Sequence, residues 1–158
     1  FDGKKDDVMG AGYAGDITPK AAWKLLSEEP DAVLVDVRTA AEWQFVGVPV
    51  LNSLSKQPVL VEWIRFPGGA PNPEFVAQVK EAVSESAGNA DPAIVFLCRS
   101  GQRSQGAAAA LTQEGFSRCY NIRDGFDGDK NADGQRGTAV GWNVAGLRWA
   151  QGLSRLHL

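Results

Sequence analysis

Two short runs, Ala32-Val33-Leu34-Val35-Asp36-Val37 and Ala93-Ile94-Val95-Phe96-Leu97-Cys98, are apolar at nearly every position rather than at every second one. A strand with two apolar faces must be covered on both, as in a parallel sheet held between helical layers. Helical signals alternate with these runs. Thr18 caps and Pro19 opens a first helix carrying Trp23, Leu25 and Leu26, which ends at Glu29-Pro30. Thr39-Ala40-Ala41-Glu42 fits a capping box for a second, short helix. Asn72-Pro73 opens a third, with Phe75, Val76, Val79 and Val83 on one face. An Ala-rich fourth helix runs from about Ser104 to Glu114 and closes at Gly115. Residues 50–54 and 119–122 read as further strands, and residues 58–71 as a long connection. The expectation is one three-layer α/β domain over residues 16–150, with a central parallel sheet of about five strands and helices on both faces. A flexible arm (1–15) precedes it and a tail (151–158) follows.

Composition narrows the function. Sixteen basic against 19 acidic residues give a net charge of -3, which leaves no clustered cationic surface for nucleic acid. No apolar run approaches the roughly 20 residues of a membrane span. Two cysteines and one histidine provide neither a disulfide framework nor a zinc site, so no metal and no cofactor are expected. The start at Phe1, without a leader pattern, is read as an edge, a domain cut or a processed end. The expectation is a cytoplasmic monomer.

In folds of this kind, ligands bind beyond the carboxyl ends of the strands. Two polar features stand there: Asp36-Val37-Arg38, and the loop Cys98-Arg99-Ser100-Gly101-Gln102-Arg103-Ser104. An isolated cysteine is usually an inert small hydrophobe. Cys98, however, has Arg99 and Arg103 within five residues, and Gly101 permits a tight turn into a helix N-terminus. Both effects favour the thiolate over the thiol, and the same backbone cradle suits an anion held against the sulfur. The only histidine, His157, stands next to the last residue and is not a credible acid or base. The chemistry therefore calls for a thiolate made by electrostatics alone and a leaving group that needs no proton. Sulfite departing from thiosulfate meets that condition.

This loop resembles the active-site loop of the rhodaneses, the thiosulfate sulfurtransferases. AGDITPKAAWKLL (14–26), VLVDVRTAAEW (33–43), NPEFV (72–76), IVFLCRSGQRS (94–104), GF..CYNI..GF (115–126) and GW..AGLRW (141–149) follow in the order seen in single-domain members. The resemblance implies a rhodanese-like fold and sulfur transfer through a persulfide on Cys98. The donor would be thiosulfate or a related small sulfur anion, and the acceptor a thiophile such as cyanide or a protein thiol. Arg99, Ser100, Gly101, Gln102, Arg103 and Ser104 would then line the donor cradle, with Ser104 capping the helix or adding a hydroxyl. Asp36 and Arg38 match the family's strand-end Asp-Val-Arg as loop supports. Asp36 could pair with a loop arginine; otherwise Asp36 and Arg38 only pair with each other or cap the next helix.

Two other readings stay open. One is a docking domain or a sensor built on an easily oxidised thiolate. The other is phosphate or arsenate handling, although related phosphatases have one more residue than the four between Cys98 and Arg103 here, and need a general acid such as Asp36 or Asp124. The family's Gly-His-Ile segment reads Gly47-Val48-Pro49-Val50 in this chain. Trp63, Phe66 and Pro67 are candidates for a wall of the site mouth or for plain core packing. Cys119 reads as a buried structural thiol, with a resolving role for Cys98 as the alternative. The acidic turn from Asp129 to Gly134 resembles the start of a calcium loop, but Val140 stands where a bidentate Glu is required.

Overall fold

The computed structural model describes residues 12–45, 48–49, 51–64, 69–86, 91–98, 103–123 and 149–150. Among these residues, seven strands and four α-helices follow in chain order: β1 (Gly15–Ile17), α1 (Pro19–Glu28), β2 (Val33–Asp36), α2 (Ala40–Phe45), β3 (Val48–Pro49), β4 (Val59–Leu60), α3 (Phe75–Ser86), β5 (Ile94–Leu97), α4 (Arg103–Gln113), β6 (Cys119–Ile122) and β7 (Trp149–Ala150). Five strands form one sheet in the order β1-β6-β5-β2-β4. Every pair in it is parallel. β3 and β7 make a separate antiparallel ribbon.

The two apolar runs become β2 and β5, and all eight of their residues are buried. Their side chains alternate between two cores. Val33, Val35, Ile94, Phe96 and Cys98 meet Phe75, Val79 and Val83 of α3 and Ala107, Ala108 and Leu111 of α4. Leu34, Val95, Leu97 and Ile122 meet Ala22 and Leu26 of α1. The sheet is thus covered on both faces, as fully apolar strands require.

Local chemistry sets the element ends as the sequence suggests. Thr18 accepts the Ala21 N–H at 3.1 Å and Pro19 occupies the first helical turn of α1. Thr39 and Glu42 form the reciprocal capping box of α2, with Thr39 N–H to Oε1 at 3.1 Å and Glu42 N–H to Oγ1 at 3.3 Å. Gly115, at φ 106°, ends the chain path after α4 in a left-handed conformation.

Three expectations are corrected. Of residues 50–54, the described ones, 51–54, are not a strand: Leu51 is buried, and Asn52–Leu54 make a 3-10 turn closed by Leu54 N–H to the Leu51 carbonyl. The edge strand is instead Val59–Leu60, inside what reads as a connection. Gly15, placed in the expected arm, begins β1, and Tyr13 packs against the core.

Candidate active site

β2 and β5 are neighbours in register, Asp36 opposite Leu97, so the two polar features the sequence singles out end side by side. Val37 N–H donates to the Leu97 carbonyl at 2.8 Å and locks that edge. Cys98 follows β5 directly, and α4 opens at Arg103. Arg99, Ser100, Gly101 and Gln102 lie outside the described residues, as do Phe66, Pro67, Asp124, the Asp129–Gly134 turn and His157.

Cys98 is buried, with Ser104 Oγ at 3.2 Å from its sulfur. Ser104 is the second residue of α4, and its hydroxyl faces the thiol. Of the two roles open to it, the added hydroxyl is the one observed.

Asp36 and Arg38 pair with each other. Arg38 Nε lies 2.9 Å from Oδ1, and its terminal nitrogen 2.7 Å from Oδ2; both residues are fully buried. The Arg38 backbone N–H adds a third contact to Oδ1 at 3.1 Å. This is a strand-end brace rather than a clamp on Arg103.

The clamp on Arg103 comes from Glu42, a residue the sequence offers only as a helix cap. The two terminal nitrogens of Arg103 donate to the two carboxylate oxygens at 2.8 and 2.9 Å, the bidentate fork geometry. Burial alone would raise the Glu42 carboxyl. The Arg103 guanidinium and the Thr39 N–H outweigh it and hold Glu42 below the usual carboxylate range. Burial likewise pulls Arg103 down, but Glu42, helped by Cys98 and Asp36, keeps it above its ordinary value. The helix cap, the cation and the thiol are therefore one electrostatic unit.

Behind the thiol a polar file runs across the sheet. Ser104 Oγ contacts Asn121 Oδ1. Asn121 Nδ2 donates to Asp16 Oδ1 at 3.0 Å, and the Tyr13 hydroxyl donates to the same oxygen at 2.7 Å. Burial, then Asp16, push the Tyr13 phenol up. The sequence gives Asn121 only as a strand residue and Asp16 only as the first residue of the expected domain.

Trp63 packs rather than lining a described mouth. Its ring meets Phe75 edge-on at 4.9 Å, and a Cβ on Gly106 would come within 3.1 Å of it. A larger residue at 106 would push the indole back by a few tenths of an ångström. Cys119 is buried, with its thiol pushed up to about 11 by that burial. It pairs in register with Ile94, four residues before Cys98 on an extended strand, hence roughly 13 Å from it. A disulfide needs Cα atoms within about 7 Å, so the resolving role is excluded in this fold. Among the described residues, no group of three His, Cys, Asp or Glu side chains could hold a metal ion.

The family model described as the STR4 middle domain matches residues 14–155, nearly the whole chain and all of this site but Tyr13. The chain belongs to this rhodanese-like family. The crystal structure of Rv0390 from M. tuberculosis superposes with a TM-score of 0.79 at 48% identity, over 89% of this chain and 99% of that one. An uncharacterized protein of Rickettsia conorii is 38% identical over 128 residues, 81% of this chain and 90% of that one. A tRNA uridine(34) hydroxylase of Salmonella heidelberg is 29% identical over 125 residues, of which this chain spans 31% of the enzyme's length. Among the described residues no helix is long and apolar enough to cross a membrane.

Proposed function

We propose that this chain is a sulfurtransferase whose Cys98 carries a sulfane sulfur as a persulfide. The observation behind this reading is the company Cys98 keeps: a buried thiol at the end of the central strand, a hydroxyl at 3.2 Å, and a forked, permanently charged Arg103 entering the helix that follows. Such a site stabilises a sulfur anion without an imidazole. Among the described residues it offers no group suited to protonating an amide or alkoxide leaving group, Asp36 being ion-paired with Arg38.

In the first half-reaction the Cys98 thiolate attacks the outer sulfur of thiosulfate or a related small sulfur anion. The bond from that sulfur to the sulfonate sulfur breaks, and its electron pair leaves with sulfite. In the second, a thiophile such as cyanide or a protein thiolate attacks the terminal persulfide sulfur and the Cys98 thiolate is restored. Arg103 steers the anionic donor, with the loop from Arg99 to Gln102 completing the cradle. Asp36 and Arg38 brace the strand end beneath it. No metal or organic cofactor takes part in this scheme.

Incubation with thiosulfate followed by intact-mass measurement tests the reading. The expected result is a gain of one sulfur atom on the unmodified chain and none on Cys98→Ser, reversed by cyanide with formation of thiocyanate. No gain at any donor concentration removes thiosulfate. If mercaptopyruvate also leaves the mass unchanged, sulfur transfer is abandoned in favour of a docking or sensing role for the same thiol.

A further inference from the structure

We infer that Asp16 and Asn121 are positioning residues for the reactive thiol, acting through Ser104 to decide where a single hydroxyl hydrogen points. The inference rests on Cys98 being the reactive sulfur, and it adds residues from the far edge of the sheet to that site.

The argument is one of donor counting. The Ser104 hydroxyl has one hydrogen and two neighbours able to accept it, the Cys98 sulfur at 3.2 Å and Asn121 Oδ1. Which of them receives it depends on the direction in which the Asn121 amide is held. Asp16 fixes that direction. Its Oδ1 accepts from Asn121 Nδ2 at 3.0 Å, and a reversed amide would set two oxygens against each other. The Tyr13 hydroxyl holds the same carboxylate oxygen from the other side at 2.7 Å. With the amide so oriented, its oxygen faces Ser104 and draws the hydroxyl hydrogen. Ser104 then presents a lone pair to Cys98, which suits a thiol donating its S–H. When Cys98 ionises, the hydroxyl must turn from Asn121 to the sulfur. Asp16 thereby makes the thiolate compete for a hydrogen bond it would otherwise have outright.

The register makes this arrangement possible. Asp16 is opposite Asn121, and Asn121 opposite Phe96, so the file crosses β1, β6 and β5 on the face covered by α4. Among the described residues, the other charged groups about the thiol are set in pairs: Arg103 on α4 with Glu42 on α2, and Asp36 with Arg38 at the end of β2. α3 faces this core with Phe75, Val79 and Val83, which carry no charge. Asp16 is exposed, and its strand is held by backbone pairing, so its side chain can be changed without emptying a core site.

The test is the pH titration of thiolate ultraviolet absorbance, taken for each chain as the difference from its own Cys98→Ala counterpart. Asp16→Asn keeps an oxygen that can accept from Asn121 and is expected to leave the midpoint nearly in place. Asp16→Ala removes the acceptor altogether and is expected to move the midpoint down by about half a pH unit to one unit, the worth of one ordinary hydrogen bond. In a Ser104→Ala background Asp16→Ala is expected to move nothing. An unmoved midpoint in Asp16→Ala overturns the inference. So does an equal shift with and without Ser104, which would mean that Asp16 acts through space on the thiolate as a plain charge. The titration needs no sulfur donor. A chain that forms the persulfide but keeps its midpoint refutes only this inference, and one that shifts but never takes up sulfur refutes only the proposed function.

Discussion

Asp36→Ala is expected to cost about 3–5 kcal/mol of folding stability, the penalty of withdrawing one partner from a buried ion pair. Arg38 is fully buried and meets both oxygens of Asp36 through its side chain, so the substitution withdraws the carboxylate that compensates a desolvated cation. The decisive companion is the double variant Asp36→Leu with Arg38→Met, which removes both charges and keeps most of the volume. Buried pairs replaced in this way are often neutral or better, so denaturant midpoints should show the double variant recovering most of the loss. A double variant as unstable as Asp36→Ala would mean that the brace acts by some route other than charge compensation.

The second large effect concerns the fork between Arg103 and Glu42. Under the proposed function, Arg103→Lys is expected to lower kcat/KM for thiosulfate-to-cyanide transfer about 100-fold, since a lysine cannot make the planar two-point contact that fixes the cation beside the sulfur. Glu42→Gln keeps one acceptor and is expected to cost about tenfold, mostly in KM. Equal activity of all three chains would leave Arg103 a purely structural cation. The pair also carries a pH signature of known sign. Glu42 is held below its ordinary titration range in the folded chain, so its stabilisation is complete above that range and fades as pH falls through the depressed value. The stability gap between the unmodified chain and Glu42→Gln should therefore be full near neutrality and close in strong acid. A gap that persists there contradicts the ion-pair account.

The layered fold was legible because β2 and β5 are buried on both faces and say so in their composition. The sheet edges were not. β4 is two residues long, and β1 begins with Gly15 and Asp16, so neither carries an apolar run that could be noticed. Residues 50–54 misled for the opposite reason: Val50 and Leu51 look like a strand, yet Leu51 serves as a single anchor for a 3-10 turn. At the site, Cys98, Arg103 and Ser104 could be named from one loop because their positions are set by local spacing. Glu42 could not, since its bond to Arg103 joins positions 61 residues apart, and its capping-box role already accounted for it. Asn121 and Asp16 were hidden in the same way, 17 residues from Ser104 and 105 residues from each other. Side chains that face one another across a sheet leave no mark in a single sequence when each has an ordinary local explanation.

The separation of the two cysteines has a bearing on how such a chain survives oxidants. With Cys119 opposite Ile94, and no third cysteine in the chain, a sulfenic acid formed on Cys98 has no internal thiol on which to collapse. Within these 158 residues its repair is left to a bimolecular step, through a mixed disulfide with a thiol from outside the domain. The lifetime of the damaged state is then set by the surrounding thiol pool rather than by the fold.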